Sequence, residues 1–129
     1  MEPFTVEADV PGGPYAAARA RRLVENELSG RVPGDLLADV ALLITELVAN
    51  GVHHGGAGPD TALHLLLEGS RPGLHVEVFN VADGGGGVTR RTPDMDGGGG
   101  IGLHLVEELA SRWGVRHVPR TAVWFEVDC

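Results

Sequence analysis

Three polar residues stand at helical spacing in the segment with the strongest helical pattern: Glu46, Asn50 and His53. On a helical wheel Asn50 and His53 fall within about 40° of Glu46, and Glu46 lies one turn, about 6 Å, from Asn50. A carboxylate and an amide so placed suit phosphate chemistry, because Mg²⁺ prefers oxygen ligands and takes its other contacts from water and phosphates. Asn50 could hold the metal, and Glu46 could orient or deprotonate an attacking hydroxyl. The alternative is a solvated helix border with no ligand.

Two adjacent histidines, His53 and His54, stand near the end of the same helical pattern. Neighbouring residues on a helix point in different directions, so this pair is not expected to form a zinc site. Capping or packing of the helix end is the expected role of both side chains.

Glycine marks a second candidate region. Of the 20 glycines, 9 fall between Gly84 and Gly102, and the segment from Asp83 to Gly100 has no hydrophobic periodicity. Long loops of this kind are typically lids, binding loops or disordered segments. Glycine clusters at both ends resemble two hinges, and the second cluster runs into a helix N-terminus, which favours an anion. The alternative is a surface loop without a ligand.

The bulk composition excludes several classes of protein. All 10 basic residues are arginine, so a P-loop site, an ordinary protein kinase and a Schiff-base enzyme, which each need a lysine, cannot be built. The net charge of −8 argues against a nucleic-acid-binding face. Cys129 is the one cysteine, which rules out an intrachain disulfide. With no apolar run of membrane-spanning length and no signal-peptide pattern at the N-terminus, a cytoplasmic protein is expected.

The elements that must position these residues follow from periodicity and turn signals. The sequence predicts strands over Phe4–Ala8, Thr61–Glu68, Leu74–Val81, Val115–Val118 and Thr121–Val127. It predicts helices over Tyr15–Leu28, from Pro33 to about His53, and over Ile101–Trp113. Gly30 follows the first helix, where a residue tolerant of positive φ is expected.

The order of these elements predicts the fold class. Strands come mostly in sequence pairs, without a helix between every two, and residues Ser70 to Gly73 form a hairpin loop. That order indicates an α/β (α+β) two-layer sandwich, in which helices cover one face of a mixed, largely antiparallel sheet. A single domain over residues 1–129 is expected, since no linker or repeat divides the chain.

Several motifs together resemble a known family. Residues 46–55, ELVANGVHHG, resemble the N-box of the GHKL ATPases, and in particular the pattern E-L-x-x-N-A-x-x-H of bacterial anti-sigma factor serine/threonine kinases, with Gly51 at the usual alanine. Residues 100–106, GIGLHLV, resemble the second glycine box of that family. Residues 113–115 and 123–126 are similar to the closing segments of its actinobacterial branch.

The resemblance implies the Bergerat, or histidine-kinase-like ATPase, fold with ATP and Mg²⁺ between the long helix and the glycine-rich lid. It implies that Asn50 holds the metal and that Glu46 is the catalytic base. It also implies that Gly100 and Gly102 let the backbone approach the phosphates, and that Leu103 belongs to the nucleotide-binding set.

The residue that contacts adenine has two candidates. The family has an aspartate at the end of the strand before the lid, and strand spacing places Asn80 there. A shift of three residues would instead align Asp83, Gly85 and Gly87 with the family pattern D-x-G-x-G. The strand length favours Asn80, whereas the chemistry and the glycines favour Asp83. An Asn carbonyl accepts from the adenine amino group without a charge, so nucleotide affinity would be lower with Asn80.

The expected function follows from the resemblance. The family implies a kinase that binds a sigma factor and transfers the γ-phosphate of ATP to a serine or threonine of an anti-anti-sigma (STAS-type) antagonist, with a homodimer as the expected assembly. Asn80 motivates the alternative of a module that sequesters a partner and binds ATP weakly or without phosphate transfer. Arg90 and Arg91 of the lid could reach a terminal phosphate or be solvated.

Overall fold

The computed structural model describes residues 2–55, 62–70, 73–80, 100–116 and 122–128. These residues form five strands and three helices. In chain order they are β1 (Phe4–Pro11), α1 (Ala16–Leu28), α2 (Gly34–Gly55), β2 (Ala62–Ser70), β3 (Gly73–Asn80), α3 (Gly100–Leu109), β4 (Arg112–Arg116) and β5 (Ala122–Asp128).

The strands form one sheet in the order β1-β2-β3-β5-β4, and every pair of neighbours is antiparallel. β2 and β3 are joined as the predicted hairpin, with Ser70 opposite Gly73. The first and fourth strands are the edges of the sheet. The sandwich class predicted from the element order is confirmed, and within the described residues the sheet is wholly antiparallel.

One face of the sheet carries the hydrophobic core. Along β2 the residues Leu63, Leu65 and Leu67 are buried, while the residues between them are only half-buried. The three helices pack on this face, and each contributes apolar side chains to the same cluster. A fully buried leucine or valine stabilises the fold by roughly 1.5–3 kcal/mol, so this alternation fixes which side of each strand faces inward.

α1 buries one stripe and ends as its sequence predicts. Ala16, Ala20, Val24 and Leu28 are inaccessible to solvent and repeat every four residues, so they face the core together. Gly30 follows the helix with φ of +81°. This conformation is energetically unfavourable for residues that have a side chain, but not for glycine. The prediction for that glycine is confirmed.

The last helix ends earlier than its sequence predicts. The helix expected to reach Trp113 stops at Leu109, and β4 begins three residues before the predicted strand. The amide of Ser111 donates to the carbonyl of Glu126 on β5 at 2.8 Å, so strand pairing takes over directly after the helix. Trp113 then packs against the core from a strand rather than from a helix. Tertiary pairing therefore outweighs the helical periodicity of this segment.

Candidate functional site

The residues singled out for phosphate chemistry lie on α2. The inward face of this helix is buried in the core by Val40, Leu43, Ile44, Leu47 and Val48. Glu46 and Asn50 are half-buried, as expected for residues at the border between the apolar face and the outer side. The wheel prediction for these two residues is thus consistent with the burial of the helix.

Asn50 carries the most informative atom of this region. Its side-chain nitrogen Nδ2 is buried and has no hydrogen-bond partner in the part of the chain that the structure describes. A buried donor left without an acceptor costs about 1–3 kcal/mol, and such groups are rare in folded proteins. The side chain is therefore placed for an acceptor from outside these residues, and its carbonyl oxygen Oδ1 is of the kind that Mg²⁺ prefers. The donor set fits a metal–phosphate group.

Glu46 stands one turn before Asn50. Among the described residues its carboxylate makes no hydrogen bond or ion pair. Thr45 beside it donates to the carbonyl of Ala41 at 2.7 Å and is occupied by the helix itself. A half-buried carboxylate without a partner is available to accept a proton from a hydroxyl group.

α3 lies against α2, and its residue Val106 is completely buried in the hydrophobic core. The backbone of Gly100, Gly102 and Leu103 forms the first turn of α3, whose amides have no partners within the helix. The helix whose N-terminus is predicted to face phosphates therefore packs beside the helix that carries Glu46 and Asn50.

The remaining candidates divide between described and undescribed residues. The backbone of Asn80 ends β3 and is paired with Leu63, which agrees with the strand length used to align it. Asp83, Gly85 and Gly87 lie outside the described residues, as do Arg90 and Arg91. The adenine contact stays a prediction for both Asn80 and Asp83.

The two adjacent histidines belong to α2. The helix runs to Gly55 and so includes the backbone of His53 and His54, whose side chains lie outside the described part of the chain. Within the described residues, no group of three or more His, Cys, Asp or Glu side chains could hold a metal ion. In the described part of the chain, a Mg²⁺ site would therefore be built on Asn50 without such a cluster.

A second polar region lies on the sheet surface opposite the core, which we call the outer face. It consists of residues that alternate with the core residues along each strand: Thr5, Glu7, Asp9, His64, Leu66, Glu68, His75, Glu77, Phe79, Arg112, Gly114, Arg116, Trp124, Glu126 and Asp128. A groove of about 860 Å³ lies at one end of the sheet, lined from both faces by the starts of β1, β3 and β4 and the ends of β2 and β5.

Ionic contacts connect the strands across the outer face. Glu77 has a side chain only 7% exposed and receives a two-pronged contact from the guanidinium of Arg116. His75 lies between Glu77 Oε2, at 2.7 Å from its Nε2, and Glu126 Oε2, at 2.9 Å from its Nδ1. Arg112 in turn contacts both Glu126 and Asp128.

These contacts shift the pKa values of the groups involved. Arg116 holds the pKa of Glu77 below its ordinary value, against the opposing effect of burial, and His75 adds to the shift. Arg112 does the same for the pKa of Glu126, again with help from His75. Partial burial by itself lowers the pKa of His75, but the hydrogen bonds and charges of its two glutamates outweigh burial and raise it. The two glutamates are therefore charged near neutral pH, as are the arginines that contact them.

Aromatic rings lie within this network. The rings of His75 and Trp124 are stacked, with centroids 5.6 Å apart and an interplanar angle of 23°. Trp124 also lies directly over Gly114, where a Cβ atom would stand 3.0 Å from the indole. Sequence reasoning missed this region, although the polar residues at every second position of β2 and β3 were a visible signal.

None of the helices in the described residues combines the length and the apolar character needed to cross a bilayer. A family model described as a histidine kinase-like ATPase domain matches residues 10–126. A search of curated proteins finds no match to the chain.

Proposed function

Since the chain belongs to the histidine kinase-like ATPase domain family, we propose that it is a cytoplasmic, ATP-dependent serine/threonine protein kinase of the anti-sigma factor type. Membership of the family implies ATP binding and a kinase-like function. The observation that carries the finer proposal is the buried, unpartnered amide of Asn50 one turn from the unpartnered carboxylate of Glu46. Both groups lack partners in the described chain, as expected of residues whose partners arrive with a nucleotide and a protein substrate.

Each residue has a distinct role in this proposal. Asn50 would hold Mg²⁺ through Oδ1, which leaves its Nδ2 to donate to an acceptor oxygen. Mg²⁺ bound with ATP would neutralise charge on the phosphates. Glu46 would accept the proton of the attacking serine or threonine hydroxyl. The first-turn amides of α3, at Gly100 and Gly102, would donate to phosphate oxygens.

The proposed partners are a sigma factor and an anti-anti-sigma (STAS-type) antagonist, and the proposed assembly is a homodimer. The motif pattern around Glu46 and Asn50, which resembles the anti-sigma factor kinases, supports this choice.

The exposed side of α1 also supports a protein partner. Tyr15, at 71% exposure, Arg19 and Arg22 follow one another at intervals of four and three residues, directly opposite the buried stripe of the helix. Neither arginine has an ion pair in the described chain, whereas Arg21 is paired with Glu25. Tyrosine and arginine are enriched among residues that dominate binding energy, and this cationic stripe stands out on a chain of net charge −8.

Phosphate transfer tests the kinase assignment. The protein is incubated with γ-labelled ATP, Mg²⁺ and candidate anti-anti-sigma proteins, and the label is mapped on the acceptor. We expect label on a serine or threonine, and we expect Glu46→Gln to slow its appearance about 10²–10⁴-fold, the usual contribution of a positioned base. The matched control is Glu107→Gln, because Glu107 is exposed on α3 and has no role in the proposed reaction. Equal rates for both variants would remove Glu46 from the reaction.

Asn80 favours a second candidate, a module that sequesters its partner and binds ATP without transferring phosphate. β3 ends in this uncharged residue. Alignment by strand length sets Asn80 at the family's aspartate, whereas alignment by the glycines sets Asp83 there. Calorimetry with ATP and ADP, with and without Mg²⁺, separates the two functions. Measurable nucleotide binding without any transferred label supports the module, whereas no binding at millimolar nucleotide contradicts both candidates in their ATP-dependent form.

A further inference from the structure

One histidine of the outer face joins the edge strand β1 to β2. The ring of His64, on β2, contacts Asp9 Oδ1 at 2.6 Å through Nδ1 and Glu7 Oε1 at 2.8 Å through Nε2. Asp9 is the direct cross-strand neighbour of His64, and Glu7 stands two residues away on the same face of β1. Both ring nitrogens are therefore engaged by carboxylates of a single strand.

This geometry requires a particular protonation state. A neutral imidazole has one N–H donor and one lone pair, whereas an imidazolium donates from both nitrogens. A carboxylate oxygen can only accept, so both contacts of His64 are hydrogen bonds only when the ring is doubly protonated. After loss of one proton, a ring lone pair would face either Asp9 or Glu7 at close range.

The proton on His64 is also the cation that these two carboxylates share. In the described chain neither Glu7 nor Asp9 has an ion pair with an arginine. Across the ring from β1, His64 meets the uncharged Phe79 of β3, with ring centroids 4.7 Å apart. Its neighbours on the same face of β2, Ala62 and Leu66, carry no charge, and Glu77, the charged residue of β3 on this face nearest His64, is held by Arg116.

The second histidine of the outer face is held differently. His75 also lies between two carboxylates, those of Glu77 and Glu126, but each of them has an arginine as well, Arg116 and Arg112 respectively. Arginine stays charged throughout the physiological range. Loss of the His75 proton would leave both glutamates compensated, whereas loss of the His64 proton would leave two carboxylates on β1 without a cation.

We propose that His64, Glu7 and Asp9 form a proton-dependent clamp that holds the edge strand β1 on the sheet and releases it as the pH rises. The function proposed for α2 plays no part in this inference. The released element would be β1 with the turn that leads into α1, since the clamp is the set of side-chain ionic contacts described between β1 and β2.

The direction of the pH dependence follows from linkage. Partial burial alone lowers the pKa of His64, but hydrogen bonds to Asp9 and Glu7 and their charges outweigh it and raise the pKa above 6.5. A raised pKa in the folded state means stability that is fully present below 6.5, the value of an ordinary histidine. That stability is lost as the pH rises through the pKa of the folded state.

Two measurements on the intact protein test the clamp. The first is an NMR titration of the imidazole nitrogens, in which we expect His64 to titrate above 6.5 with both nitrogens protonated at lower pH. The second is hydrogen exchange, corrected for the intrinsic effect of pH, between pH 6 and 9. Amides of β1 are expected to lose protection at least threefold more than amides of β3 and β5. Titration of His64 at or below 6.5, or equal loss in all strands, overturns the proposal.

Variants separate the clamp from a general effect of pH. We expect His64→Gln to abolish the selective loss of β1 protection with pH, and His75→Gln to retain it. If His64→Gln fails to fold, Asp9→Asn keeps the ring and removes one carboxylate, and it is expected to shift the His64 titration to lower pH. The proposal is overturned if His64→Gln leaves the selective loss of β1 protection unchanged, or if Asp9→Asn leaves the His64 titration unchanged.

Discussion

The polar border of α2 and the outer face of the sheet differ in whether the described chain supplies partners for their polar groups. On α2, the Nδ2 of Asn50 is buried without a partner and Glu46 has no partner in the described chain. On the outer face, the side chain of Glu77 is more deeply buried, at 7% exposure, but Arg116 and His75 both contact it. Under the proposed function, the unsatisfied amide of Asn50 would contact a ligand, whereas Glu77, which the fold satisfies, belongs to the structure.

The energies explain why both arrangements persist. An unsatisfied buried donor costs about 1–3 kcal/mol, a sizeable part of the roughly 5–15 kcal/mol by which a domain is stable. Such a cost is retained where binding a ligand removes it. Removing one member of a satisfied pair would create the same cost without any compensation in function.

The largest effect on stability is expected from Arg116→Ala. The substitution leaves Glu77 buried with only His75 as a cationic partner. We expect the free energy of unfolding, measured by urea denaturation, to fall by about 2–3 kcal/mol. A fully buried pair would cost more, but the guanidinium is 42% exposed. Arg112→Ala, on an exposed pair, is the control and should lower the midpoint much less. Similar losses for both variants would mean that the burial of Glu77 is unimportant.

Asn50→Leu should separate function from stability. Leucine has a similar volume and no donor to satisfy, so we expect the free energy of unfolding to stay level or rise by about 1 kcal/mol. We expect nucleotide affinity in the presence of Mg²⁺ to fall about 10–100-fold, as for loss of a metal-site contact. Calorimetry and urea unfolding on the same sample give both values. A large loss of stability with normal ATP affinity would show that Asn50 is structural.

The same variant needs a control for the chemical change itself. Asn26→Leu introduces leucine at an exposed position on α1. Since this side chain is solvated, neither nucleotide affinity nor stability should change by more than about 0.5 kcal/mol. A parallel change in both variants would attribute the effect to leucine rather than to position 50.

The smallest effect is expected on α1. If unpaired arginines mark a binding surface, Arg19→Ala with Arg22→Ala should weaken the affinity for a protein partner by about tenfold and leave stability unchanged. Arg21→Ala is the matched control, since that side chain is paired with Glu25. Isothermal titration with the phosphate acceptor or the sigma factor measures both. If the wild-type protein, the Arg19 and Arg22 double variant and the Arg21 variant bind the partner with equal affinity, the partner binds to another surface.

Much of this fold follows from local patterns. The helical spacing of Val40, Leu43 and Leu47 predicts the buried face of α2, and it also places Glu46 and Asn50 at the border of that face. The hairpin of β2 and β3 and the sandwich class follow in the same way, because each depends on residues close together in sequence. The family resemblance supplied the ATP-binding assignment that the family model now supports.

The outer face could not be predicted in this way. His75 meets Glu126 and Arg116 meets Glu77 only because of the strand order and register, which bring together residues far apart in the chain. The helical spacing of the segment before Trp113 likewise predicts a helix there, whereas the pairing of β4 with β5 places Trp113 in a strand. Long-range pairing decides these features, and a single sequence does not display it.

The stacking of His75 on Trp124 gives the protein an optical reporter of its own. The chain has two tryptophans, and only Trp124 touches a titrating ring in the described structure, while Trp113 packs against the core. A protonated imidazole quenches indole fluorescence by accepting an electron from the excited ring, and a neutral imidazole does so far less. The emission of Trp124 should therefore brighten as His75 loses its proton, so that the charge of the outer face can be followed without a label.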